Sequence, residues 1–326
     1  MILHPRIADA TARPNSRSAR GLARWRLLAA LGLLLAVAAI ILALALGGQA
    51  PVIPPVSSPS TGPTPIPIDQ ALLNRRVTFL LLGTDQNAAR QSRGESVLTD
   101  SMIVVSINAA HTRLSMISVP RDTVDVPLPD GSTWHEKLNE LYTKQGMGVT
   151  RGTFDRLLGA KIDYVVELNM DDFTDVIDAF GGIDLIVPEA IVDPSIALNI
   201  KAGRQHLDGK TALLYSRSRH TTNDFSRAAR QQLVLRALLA RFDDPAVKVD
   251  VLSLVSSLPS LKTDIPRDKL PTLAEIARRS RNAAVTGKVF QPPDFYQVSI
   301  DPVRGYILLP DLEAIRKYSQ PLLTGS

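Results

Sequence analysis

Twenty consecutive residues, Leu27 to Leu46 (LLAALGLLLAVAAIILALAL), carry no charged or strongly polar side chain. A helix rising about 1.5 Å per residue crosses the hydrocarbon core of a bilayer in roughly that length. The run also exceeds the apolar core of a signal peptide, which is about 7–15 residues long. Residues 1–26 hold six arginines against the single acid Asp9, and such a basic flank stays in the cytoplasm. The expectation is a basic cytoplasmic tail (1–26), one transmembrane anchor (27–46) and an extracytoplasmic bulk at the cell membrane. Cleavage after Ala43-Leu44-Ala45 is the competing reading, and it too leaves the bulk outside.

The tail accounts for the whole net charge of +5, because 31 basic and 31 acidic residues follow Arg26. A neutral domain does not offer the basic track that a nucleic-acid backbone requires, so no nucleic-acid partner is expected. Cysteine is absent, which excludes disulfides, thiolate metal sites and a thiol nucleophile. Residues 47–75 begin with seven prolines among small polar residues between Gln49 and Ile68, a composition that forms an extended spacer and no core.

From Val77 the pattern changes. VTFLLLGTD reads as a buried strand that stops at Gly83 and delivers Asp85 at its end. TDSMIVVSIN places Asp100 at the start of a second strand, and TRLSMISVPRDT is a third that ends at Arg121. Each polar residue alone reads as a turn or cap. As a pair, Asp85 and Asp100 suit a hard divalent cation, which takes one or two carboxylates and completes its shell with water and phosphate. Helical patterns over His135–Met147 and Thr150–Leu158, then strand, helix and strand through DAFGGIDLIVP, predict an α/β core with helices on both faces of the sheet. A last helical stretch runs from Asp264 to Ser280, and Phe290–Tyr306 is a strand-like tail without assigned chemistry.

LLYSRSRHTTNDFSRAARQQ, residues 213–232, is the richest segment. Arg217 and Arg219 share a face if the preceding ALLY is a strand, although a short helix there is equally open. Arg227 and Arg230, three apart, share a face of the following helix, with Asp224 as its N-cap. Guanidinium forks at a helix N-terminus favour a phosphate ligand. So many cations with one intervening acid predict an empty site strained by its own charge. Arg236, further along the helix, reads as a solvated position.

LLLGTD, LTDSMIVVSI, SVPRDT, EKLNELY, DAFGGIDLIVP, LDGKTALLYSRSR and DFSRAARQQ, in this order after an apolar anchor, resemble the LytR-CpsA-Psr family of cell-wall enzymes. The resemblance implies an α/β/α sandwich with a mixed central sheet and a hydrophobic tunnel over residues 76–281, with 282–326 as a C-terminal extension. It implies transfer of a glycopolymer from a polyprenyl-pyrophosphate carrier onto peptidoglycan, with Mg²⁺, or alternatively Mn²⁺, on Asp85 and Asp100. Arg121, Arg217, Arg219 and Arg227 would then bind the pyrophosphate, with Arg230 and Gln231 close by. Asp85, Asp100, Arg121 and Arg219 would form the catalytic set. Leu98 stands where the family commonly has Arg, and Ser101 where Thr is common. A polyprenyl-pyrophosphate hydrolase and a non-catalytic membrane-anchored regulator are the rival functions.

Overall fold

A computed structural model describes residues 67–324, apart from 95, 220–221, 243, 245–246, 248, 250–253 and 255–256. The expected anchor at 27–46 lies outside these residues, and among them no helix is long and apolar enough to cross a membrane.

In chain order the principal elements are β1 (Val77–Thr84), β2 (Thr99–Ile107), β3 (Arg113–Ser118), α1 (Leu138–Leu158), β4 (Tyr164–Leu168), α2 (Met170–Ala179), β5 (Ile183–Val187), β6 (Gly203–Leu207), α3 (Gly209–Arg217) and α4 (Asp224–Phe242). They are followed by β7 (Lys262–Thr263), α5 (Leu270–Arg279), β8 (Ala284–Val289), β9 (Tyr296–Asp301), β10 (Gly305–Pro310) and α6 (Leu312–Leu323). The central sheet is mixed, in the order β7-β4-β1-β2-β3-β8. Strand β1 is antiparallel to β2 and parallel to β4, and β2 is antiparallel to β3.

Apolar residues run together through Phe79–Leu82 of β1 and Met102–Val105 of β2 because both faces of the sheet are covered. Phe79, Ile103, Val105 and Met116 point to one face, where they meet Leu239 of α4 and Leu273 and Ile276 of α5. Leu80, Leu82, Val104 and Ile117 point to the other, against Phe154 and Leu157 of α1 and Ile315 of α6. A third core joins the β5–β6 ribbon to α2, α3 and α4 through Ile177, Leu185, Tyr215 and Val234.

Five readings change or are settled. The two helices expected over 135–158 are arms of α1, bent at Gly146, whose φ of 77° and ψ of 177° are not helical. The ALLY run is helical, because Asp208 caps α3 through the amide of Thr211 at 2.7 Å. Gly209 serves close packing as well as the turn: a Cβ there would meet the carbonyl oxygen of Thr174 on α2. The segment from 282 onward is no appendage, since β8 pairs with β3 as the edge of the central sheet and Phe290, Tyr296, Leu308 and Ile315 fill its second core. Asp264–Ser280 is therefore not the last helical stretch; α6 follows it. Arg236, expected in solvent, packs beneath β8, where a Cβ on Gly287 would lie 2.5 Å from its Nη2.

Candidate functional site

Because β1 and β3 run in one direction and β2 in the other, the end of β1, the start of β2 and the end of β3 lie side by side. These three positions carry Asp85, Asp100 and Arg121. The N-terminus of α4 and the C-terminus of α3 approach the same edge and bring Asp224, Arg227, Arg217 and Arg219.

The arginines do not face one another unscreened. Arg121 Nη1 lies 2.6 Å from Asp100 Oδ1, and its Nε donates to Asp224 Oδ2 at 3.0 Å. Arg219 Nε meets Asp224 Oδ1 at 2.9 Å, with Nη2 3.9 Å from Asp100. Arg227 reaches Asp100 and Asp224 at 3.6 Å each and donates to the Asp100 carbonyl at 3.3 Å. Three guanidiniums thus alternate with two carboxylates, and the strain expected of an empty site is relieved by Asp100 and Asp224. Asp224 is not the cap: Asn223 accepts from the amide of Ser226 at 2.9 Å, which leaves Asp224 free to act as a counter-ion. Burial pushes the Asp224 carboxyl up, but Arg227, Arg121 and Arg219 outweigh it and hold it below the usual carboxylate value. Burial likewise depresses Arg227 more than its two carboxylates raise it; a guanidinium remains charged regardless.

The other expected residues separate by role. Arg217, in the last turn of α3, is exposed at the rim of a cavity that Asp85, Asp100 and Gln231 also line. Ser218, in extended conformation, turns Arg219 away toward Asp224, so the two do not share a face. Arg230 is buried, donating to the carbonyls of Tyr215 (3.2 Å) and Ser218 and to Thr222 Oγ1 (3.2 Å), which braces the turn between α3 and α4. Asp85 pairs with Arg90 at 2.9 Å and accepts from the Leu98 amide at 2.7 Å. Arg90, which no sequence pattern singled out, therefore supplies a guanidinium beside the strand where Leu98 supplies only backbone. Glu167, buried at the end of β4, accepts from Thr84 at 2.8 Å and Tyr142 at 3.2 Å, tying down the residue before Asp85.

The cavity runs from this polar mouth between the sheet and α4. Its body is apolar: Leu81, Ile103 and Val166 from the sheet, Phe173 from α2, and Val234 and Leu238 from α4. Among the described residues no group of three or more acidic or histidine side chains could cage a metal. Two carboxylates at adjacent strand ends nevertheless fit a cation of the Mg²⁺ kind, which needs few protein ligands.

The LytR_cpsA_psr family model matches residues 60–300. The chain belongs to the LytR-CpsA-Psr family. Among LytR-CpsA-Psr relatives it is similar to the polyisoprenyl-teichoic acid–peptidoglycan teichoic acid transferase TagV of Bacillus subtilis, 31% identical over 260 residues, 74% of this chain and 63% of that protein. It is 30% identical over 199 residues to the transferase TagU of Bacillus mycoides, covering 60% of this chain and 62% of the relative. The chain thus spans a little under two thirds of the length of these curated relatives. The crystal structure of B. subtilis TagV superposes with a TM-score of 0.61 at 29% identity, over 78% of this chain and 99% of that one.

Proposed function

We propose that the chain is a membrane-anchored phosphotransferase that moves a glycopolymer from a polyprenyl-pyrophosphate carrier onto peptidoglycan. The observation that carries this reading is an apolar cavity, with Arg217 at its rim, that meets at Asp100 and Gln231 a small pocket lined by Arg121, Asp224 and Arg227. An isoprenoid fills the first and a pyrophosphate the second. The charge balance agrees. Three guanidiniums against Asp100 and Asp224 leave one positive charge, and Arg217 at the rim adds another, against the two negative charges of a pyrophosphate diester. The names of the TagV and TagU relatives point to the same chemistry.

In the reaction a peptidoglycan hydroxyl attacks the phosphorus that carries the glycan, the bond to the bridging oxygen breaks, and polyprenyl phosphate leaves. Arg121, Arg219 and Arg227 release their carboxylates to the ligand and stabilise charge on the leaving phosphate. Asp85 or Asp100 accepts the hydroxyl proton. Asp85 and Asp100 would also hold a Mg²⁺ ion, which supplies further charge neutralisation on the pyrophosphate when bound. Arg230 acts at one remove, by fixing the turn that presents Arg219. Hydrolysis would use the same residues with water as the acceptor.

Polyprenyl pyrophosphate should raise the melting temperature where inorganic pyrophosphate alone raises it little, and Mg²⁺ should enlarge the rise in the wild type but not in Asp85→Ala. Equal rises with both ligands would remove the tail from the cavity, and a rise indifferent to Mg²⁺ would remove the cation. The anchor is tested separately. Protease added outside wall-stripped cells should cut after Gly47 and spare residues 1–26; the reverse protection would overturn the orientation.

A further inference from the structure

We infer that the end of the domain carrying the arginine cluster rests on the lipid bilayer through the tip of the β9–β10 hairpin. The inference builds on the reading above, in which the ligand is a lipid carrier and 27–46 spans the membrane.

Strand directions divide the domain into two ends. Asp85, Asp100 and Arg121 share one, while Val77, just after the helical turn Gln70–Leu73 that packs on the core, and the β2–β3 turn with exposed Ala110 share the other. The hairpin is built on the segment that follows Arg121. Leu308 donates to the Asp122 carbonyl at 3.0 Å and accepts from Val124 at 3.1 Å. Arg304 reaches Asp125 at 3.1 Å and the His135 carbonyl at 2.9 Å. The tip therefore lies at the cluster's end. Burial and the charges of Asp122 and Asp224 push the Tyr306 phenol above its ordinary value.

Four of the eight exposed large hydrophobics among the described residues fall within these two strands and their turn: Val298 (46%), Ile300 (73%), Val303 (93%) and Tyr306 (40%). Ile300 stands opposite Tyr306, and the same face runs back to buried Tyr296 and Leu308. An apolar strip thus leaves the core and continues into solvent, which soluble surfaces seldom allow without an occupant. The hairpin's own two charges cancel: Arg304 pairs with Asp301, which also accepts from the amides of Val303 and Arg304 at 2.8 Å, while Asp125 of the supporting segment holds the same guanidinium. A neutral, aliphatic tip with one amphipathic ring suits the acyl boundary of a membrane. A sugar platform would instead offer several ring faces and unengaged polar groups. Geometry permits the docking: extended at about 3.1 Å per residue, as its proline content predicts, the sequence from Gly47 to Ile68 would reach on the order of 60 Å. The eight residues of β1 that separate the two ends occupy only about 26 Å.

The chain has no cysteine, so single labels are clean. The full chain is reconstituted in vesicles as Val303→Cys or Ala110→Cys, each carrying an environment-sensitive fluorophore, with quenchers borne on the lipid tails. The label at 303 should emit as in an apolar medium and lose most of its emission to the quencher, and Ile300→Ser should weaken that quenching. The label at 110 should emit as in water and be untouched. Aqueous, unquenched emission at 303 would overturn the inference, as would quenching at 110 in its place. So would a response at 303 to peptidoglycan fragments but not to lipid. The label needs no turnover and sits outside the ligand site. An unquenched 303 in protein still stabilised by polyprenyl pyrophosphate sinks the docking alone; lost stabilisation sinks the reading of the site.

Discussion

Arg121→Lys is expected to reduce glycopolymer transfer by about tenfold or more, because a charge-assisted fork worth roughly 1.5–3 kcal/mol is replaced by a point charge. It is also expected to lower the melting temperature. Arg121 bridges Asp100 and Asp224 at 2.6 and 3.0 Å, and lysine cannot reach both, so one part-buried carboxylate loses one of its short guanidinium contacts and keeps only those to Arg219 and Arg227. Arg219→Lys separates the two effects. Its side chain is 44% exposed, so its ion pair adds little to stability, yet its fork faces the same ligand. Melting curves and initial rates for both variants check this. Arg121→Lys at wild-type stability would mean that the alternation of charges does not hold the empty site together.

Asp172→Asn is expected to stabilise the protein above neutrality by on the order of 3 kcal/mol and to do almost nothing near pH 4. Asp172, in the first turn of α2, is 1% exposed, and its Oδ2 has no hydrogen-bond partner among the described residues. Burial, reinforced by Asp175, Glu167 and Asp171 and opposed only by the Ser260 amide, pushes its carboxyl up to about 6 from 3.8. The protonated form is therefore favoured by folding. The stability it confers is complete below pH 3.8 and is lost as pH rises through about 6. Asparagine keeps an acceptor for Ser260 and never ionises, so melting temperatures of variant and wild type should diverge across that window. An equal shift at pH 4 and pH 8 would assign the effect to packing.

The central strands and the positions of Asp85, Asp100 and Arg121 were legible because a doubly covered sheet forces continuous apolar runs, and the runs stop where the polar residues begin. Asp224 was misread because a helix cap and a counter-ion look alike in sequence; only the third dimension brings Arg121 to it across 103 residues. Arg227 and Arg230 are three apart and read as equivalent, yet one faces Asp100 while the other is enclosed by the carbonyls of its own turn. Arg90 was invisible since its contact with Asp85 follows no helical or strand period. The C-terminal elements were underestimated because β8 pairs with a strand 171 positions earlier, and edge pairing of that kind leaves no local pattern.

The most direct test of the proposed reaction supplies the purified full chain with a polyprenyl-pyrophosphate-linked glycan, Mg²⁺ and peptidoglycan, and follows the phosphorus. The account predicts glycan joined covalently to peptidoglycan through a phosphodiester, with one polyprenyl phosphate released for each link formed. Release of free phosphorylated glycan, with none on the wall, would contradict it in favour of hydrolysis, and an unchanged carrier would contradict any catalytic role.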